Sequence, residues 1–133
     1  MIDKEPKLIE FSKLGDSKLG YITVAEYGNN IPFEIKRVYW TYYTPHDIVR
    51  GHHAHRKLEQ VIYAVNGQID FYLENKNGMK FEFKLDRPNL GLYIPSGYWR
   101  TIKLSHSAVL LCLASLKYDE EDYLRDYKDF LKL

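Results

Sequence analysis

Apolar and polar positions alternate along the first hundred or so residues in short runs, each closed by turn residues. "GYITVAEY" alternates and is rich in β-formers, and "GNNIP" ends it. "FEIKRVYWTYY" is a second β-prone run, closed by "TPHD". "HAHRKLEQVIYAV" reads as one long strand, followed by Asn66–Gly67 and "QIDFYLE". Asn-Gly between two β-like runs predicts a tight hairpin. "NKNG" leads into "MKFEFKL", "DRPN" into "LGLYIP", "SG" into "YWRTIKL" and "SH" into "SAVLLCLASL". Short strands at such regular spacing, about eight or nine of them, predict an all-β sandwich or small barrel. The end of the chain changes period. In "DEEDYLRDYKDFLKL", Tyr123, Tyr127, Phe130 and Leu131 fall on one helical stripe behind an Asp119 N-cap. The expectation is one domain over 1–133, with strands to 118 and a C-terminal helix over 119–133, packed on the barrel or on a partner subunit.

Composition narrows the function classes. At 133 residues the chain is long enough to close its own core. A formal net charge of +1 argues against a nucleic-acid-coating protein. No stretch approaches the roughly 18 apolar residues of a membrane span. The charged start "MIDKEPKLIEF" lacks the long apolar region of a signal peptide. A cytoplasmic protein without nucleic-acid or membrane partners is expected. The single cysteine, Cys112, lies in the apolar run "AVLLCLA" and reads as a core thiol.

The chemistry concentrates in "RGHHAHRKLEQ", Arg50 to Gln60. Side chains alternate across a strand, so His53 and His55 share one face while His52 and Ala54 share the other. Residues i and i+2 lie about 6.5 Å apart along a strand. Two imidazoles at that spacing address neighbouring atoms of one small ligand. A regular strand would point Glu59 the same way. Histidine titrates near neutral pH, so a facing pair suits proton transfer.

His-x-His-x-x-x-Glu, with Gly67 eight residues after Glu59, resembles the first motif of the cupin superfamily. In metal-binding cupins these three residues and a histidine from a second motif hold a metal. Here the second motif is "PSGYWR", with Arg100 in the histidine's place. Arginine stays protonated and offers no lone pair. No metal and no other cofactor is expected, with a three-ligand open metal site as the alternative.

Taken in order, "IPFEIKRVY", "RGHHAHRKLEQV", "GLYIPSGYW" and "YDEEDYLRDYKDF" resemble the sugar-nucleotide 3,4-ketoisomerases, small WxcM-like cupins related to the dTDP-sugar epimerases. The resemblance runs from about Phe11 to Leu131. It implies a cupin jelly-roll β-barrel with a C-terminal helix, and a homodimer without metal. It implies a dTDP-linked 4-keto-6-deoxy-D-glucose substrate whose ketone moves from C4 to C3 through an enediol. The product would feed 3-amino-sugar and surface-glycan synthesis.

His53 and His55 match the family's catalytic pair, with His55 taken as the base and His53 as the partner that shuttles or stabilises the proton. Arg37 and Tyr39 share a strand face; Arg37 suits the pyrophosphate, and Tyr39 is either a catalytic residue beside the sugar or a core tyrosine. Arg50 is expected on phosphate, Glu59 orienting a histidine, and Arg100 on the substrate. Trp99 either stacks on base or sugar or packs in the core. Related enzymes often carry arginine before glycine near the N-terminus, where this chain has Leu19 before Gly20. That segment is expected to line the sugar site, and the C4 epimer formed stays open. A cupin epimerase, a metal-dependent cupin oxygenase and a non-catalytic sugar-binding module are the competing classes.

Overall fold

The computed structural model describes residues 4–133; the first three residues of the charged start lie outside the described residues. In chain order the strands are β1 (Lys7–Glu10), β2 (Leu14–Asp16), β3 (Gly20–Ile22), β4 (Arg37–Thr41), β5 (Val49–His55) and β6 (Gln60–Asn66). They continue as β7 (Ile69–Asn75), β8 (Lys80–Leu85), β9 (Leu90–Ile94), β10 (Tyr98–Leu104), β11 (Val109–Ala114) and β12 (Tyr123–Leu124). A single 3-10 turn, Glu120–Asp122, precedes β12, and one helix, α1 (Tyr127–Leu131), follows it. Two five-stranded sheets face each other in a jelly roll. One has the order β1-β9-β6-β11-β4 and the other β12-β5-β10-β7-β8, while β2 and β3 form a separate hairpin.

From β6 to β11 the strands are where the sequence pattern puts them, but their partners are not. β6 pairs with β9 and β11, whereas β7 pairs with β10 and β8. The Asn66–Gly67 turn therefore carries the chain from one sheet to the other and closes no hairpin. Gly67 still needs its positive φ of 72°, because a Cβ there would meet the Ala108 backbone at 2.7 Å. Of the turns predicted from sequence, "NKNG" makes a true hairpin, between β7 and β8. The long run "HAHRKLEQVIYAV" breaks at residues 56–59 and supplies strands to both sheets.

The inward faces of the two sheets form the main core, which includes Ile62, Phe71, Leu92, Ile102 and Cys112. Phe11, Ile31 and Phe33 cover the outer face of the first sheet, over Val61, Tyr63 and Tyr93. With both faces covered, "QVIYA" in β6 is buried at every position, which is why it reads as a continuous apolar run.

The helix expected over 119–133 is confined to Tyr127–Leu131. Asp119 is a cap, but of the 3-10 turn, accepting from Glu121 N at 3.0 Å. Tyr123 and Leu124 instead pair with His55 and Ala54 on β5. A sheet edge offers unpaired backbone groups, and satisfying them outweighs one more turn of a short helix. Phe130 then packs with Ala54 and Leu124.

β5 is irregular where it matters. Arg100 pairs with His53, but Thr101 pairs with Gly51, so His52 is the extra residue of a β-bulge. Gly51 (φ 95°) and His52 (φ 56°) take positive φ there. A Cβ on Gly51 would sit 2.8 Å from the Arg100 carbonyl oxygen. Gly51→Ala is expected to cost about 2 kcal/mol or more through strain and collision, read as a lower urea midpoint. An unchanged midpoint would show that the bulge relaxes freely.

Candidate active site

A cleft of ≈ 540 Å³ opens between the β4 and β5 sides of the two sheets. Arg37, Tyr39 and Thr41 enter it from β4, Arg50 and His53 from β5, and Tyr118, Tyr123 and Arg125 from the C-terminal segment. The bulge sets up the histidine face. His53 and His55 stand perpendicular, with ring centroids 4.9 Å apart. Tyr123 closes the group, 4.4 Å from His55 and 5.1 Å from His53.

The two histidines are not equivalent. His53 lines the cleft, and its Nδ1 lies 3.0 Å from the Gly51 carbonyl oxygen. A carbonyl only accepts, so Nδ1 carries the hydrogen and Nε2 holds the lone pair. His55 is 1% exposed, behind His53. Its Nδ1 is fully buried, 3.3 Å from Asp122 Oδ2.

Behind the pair sits Arg100, 1% exposed. Its Nη1 donates to Gln60 Oε1 and its Nη2 to the Tyr98 carbonyl at 3.4 Å, while Nε is buried without a hydrogen bond. No carboxylate faces it among its described partners. Gln60 Nε2 in turn donates to the Tyr39 hydroxyl at 3.0 Å and approaches Cys112 Sγ at 3.2 Å. The Arg37 guanidinium lies over the Tyr39 and Tyr118 rings, at 5.5 and 5.7 Å. Arg125 covers the Tyr123 ring at 4.3 Å and is held by Glu120.

Burial and then the Arg100 charge push His53 down to about 4. The same causes, followed by His53 and Arg37, push His55 down to about 2. Both rings are therefore neutral at pH 7. Burial holds the Tyr39 phenol well above its ordinary value, so it stays protonated. Burial also raises Cys112 to about 11, making it an unreactive thiol. The lowered histidines link stability to pH. An unfolded histidine protonates near 6.5, and the folded ones do not until far lower. Stability is therefore fully present above about pH 6.5 and falls with pH through the window down to about 4 for His53 and about 2 for His55. Urea midpoints at pH 7 and pH 5 should show this loss, and replacing both histidines by asparagine should flatten it. An equal loss in that double variant would assign the acid sensitivity elsewhere.

Several expected site residues lie elsewhere. Glu59 does not face the histidines. The chain turns at residues 56–59, and Glu59 accepts from the Tyr93 hydroxyl and from Lys4 Nζ at 3.0 Å, in a second cleft of ≈ 460 Å³. The three-ligand cupin pattern is thus not assembled, and Arg100 occupies the place of the fourth ligand. Trp99 points outward on β10 and packs on Tyr127 and Phe130, with centroids 5.2 and 5.7 Å away. Leu19 is 91% exposed on the separate hairpin, away from its own chain's cleft. Asp122, Tyr123 and Arg125 were missed because "DEEDYLRDY" reads as a helix start; Gln60 was masked by its place at the head of an apolar run.

A jelly roll with His53 in the cleft wall, His55 packed against it and a buried arginine behind them is an arrangement suited to acid–base chemistry. Residues 4–133 match the family described as "FdtA: WxcM-like, C-terminal", and the chain belongs to that family. It is 43% identical over 129 residues to the TDP-4-oxo-6-deoxy-alpha-D-glucose-3,4-oxoisomerase of Aneurinibacillus thermoaerophilus, covering 96% of this chain and 91% of that protein. The WlaRB TDP-quinovose 3,4-ketoisomerase of Campylobacter jejuni superposes with TM-score 0.92 at 38% identity, covering 98% of this chain and all of that one (100%). A histidine-to-asparagine variant of the 3,4-ketoisomerase QdtA from Thermoanaerobacterium thermosaccharolyticum, solved with TDP-4-keto-6-deoxyglucose, superposes with TM-score 0.91 at 36% identity, covering 98% and 94%. The chain is an isomerase of the sugar 3,4-ketoisomerase class.

Proposed function

We propose that the cleft converts dTDP-4-keto-6-deoxy-D-glucose to a dTDP-3-keto-6-deoxyhexose, with His53 rather than His55 as the base. The observation that carries this is the fixed tautomer of His53 in the cleft wall, with Nδ1 on the Gly51 carbonyl and Nε2 unprotonated. His53 Nε2 takes the proton from C3. The C3–H electrons form a C3=C4 double bond and the ketone at C4 becomes an enediolate. The buried Arg100 guanidinium, with no carboxylate to neutralise it, stabilises that negative charge. The hydrogen then goes to C4, the O3 proton is lost, O4 keeps a proton and the ketone is at C3, with no net redox change. Tyr39, a protonated phenol linked through Gln60 to Arg100, is suited to the oxygen-to-oxygen transfer. Arg37 and Arg50, with Arg125, give the cleft three guanidinium groups for the diphosphate. Incubation with dTDP-4-keto-6-deoxyglucose in D2O, followed by proton NMR, tests the reading. A 3-keto sugar is expected, and its C4 configuration identifies the epimer. An unchanged sugar beside an active control isomerase would overturn it.

The working form is proposed to be a cytoplasmic homodimer serving 3-amino-sugar synthesis for surface glycans. Among the described residues no helix is long and apolar enough to cross a membrane. The β2–β3 hairpin exposes Leu14, Leu19, Tyr21 and Ile22, while the outer face of edge strand β4 exposes Val38 and Trp40. Unpaired edges and apolar patches of this kind need covering. Light scattering is expected to give twice the chain mass, and Ile22→Glu to lower it; a monomer at working concentration would refute the dimer.

A further inference from the structure

We propose that Asp122 is the positioning residue that holds His55 in its Nδ1–H tautomer, leaving Nε2 as the nitrogen that exchanges protons with the site. The kinetic part of this inference rests on the isomerase reading above; the tautomer does not.

Asp122 is nearly buried, at 8% exposure, and lies 67 positions beyond His55 in the chain. Its carboxylate is anchored before it meets the histidine. Oδ1 accepts from Lys57 N at 2.8 Å and Oδ2 from Leu58 N at 3.2 Å. Its carbonyl accepts from Arg56 N at 2.9 Å. These three contacts tie the C-terminal segment to the turn that ends β5, directly after His55. Oδ2 is thereby placed 3.3 Å from His55 Nδ1. That nitrogen is sealed from water and closes no hydrogen bond in the structure, so the Asp122 carboxylate is the acceptor within its reach. A buried polar atom without a partner is costly, and a carboxylate oxygen can only accept. The proton therefore belongs on Nδ1. Nε2, on the side of the ring away from Asp122, keeps its lone pair. Both histidines then share one arrangement: His53 is set by the Gly51 carbonyl and His55 by a carboxylate. A second-layer acceptor that orients an imidazole is a common way to fix which nitrogen does chemistry.

Asp122→Asn separates this role from simple structural support. Asparagine can keep its oxygen on Lys57 N, but it presents an NH2 donor toward His55 Nδ1, which favours the opposite tautomer. Long-range 1H–15N correlation NMR on histidine-labelled protein at pH 7 reads the tautomer without substrate. The wild-type protein is expected to show His55 as Nδ1–H, and the variant as Nε2–H. In the same variant kcat should fall by about 100-fold, within the usual range for one acid–base group, with KM within about threefold. An Nε2–H signal for His55 in the wild type would overturn the proposal even if the variant does not fold. So would a folded variant with unchanged tautomer and kcat. Should the wild-type protein leave the nucleotide sugar unchanged, the isomerase reading falls and the spectrum alone decides the role of Asp122.

Discussion

His53→Asn is expected to lower kcat by about 10²–10⁴-fold, the range for a single general base, while leaving substrate affinity within a factor of about three. Asparagine retains a donor for the Gly51 carbonyl, which His53 Nδ1 meets at 3.0 Å, so the bulge and the cleft wall keep their shape. What it lacks is the lone pair at Nε2. His52 also lines the cleft, as the bulge residue, but its Nε2 faces the Val49 carbonyl at 3.1 Å. Calorimetric titration with the dTDP sugar, alongside NMR turnover, separates binding from chemistry. A variant that keeps more than a tenth of the rate would move the base to His55, the assignment made from the family resemblance. The asparagine form should therefore also trap unreacted substrate.

Arg100→Met is expected to reduce kcat by about 10²–10³-fold, as loss of an oxyanion-stabilising donor does. The residue is fully buried, burial pulls its guanidinium below the ordinary arginine value, and no carboxylate repays its desolvation. Such a charge is an expense to the fold and an asset to a developing enediolate. The single variant orphans the Gln60 carbonyl, which is itself destabilising. Combining it with Gln60→Leu removes both polar partners, and the double variant should melt at a higher Tm than the native protein while remaining slow. Arg100→Met should also raise the pKa of both histidines, because Arg100 is the largest charge acting on them after burial. A double variant that melts lower would make Arg100 a structural residue.

The local code was legible wherever a property depends on neighbours in sequence. The sequence pattern located the strands from β6 to β11, the apolar run of β11 placed Cys112 in the core, and spacing put His53 and His55 on one face. Arg37 and Tyr39, placed on one strand face by the same alternation, line the cleft beside His53, while Arg100 lies buried behind the histidine pair. Alternation says that a residue points inward or outward; it does not say which strand lies beside it. That choice depends on covering both faces of each sheet and closing its edges, so Asn66–Gly67 became a crossing between sheets and Tyr123–Leu124 became a strand.

The same limit explains the site. Glu59 left the histidine face because the chain turns after His55 to change sheets. Its place as the carboxylate beside a histidine went to Asp122, brought there by the docking of the C-terminal segment on β5. The amino-acid order by itself determined a β-barrel with a histidine pair and a cationic substitute for a metal ligand. Only the tertiary structure decided which histidine lines the cleft and which carboxylate lies beside the other, because burial, tautomer and long-range pairing exist only once the two sheets have closed on each other.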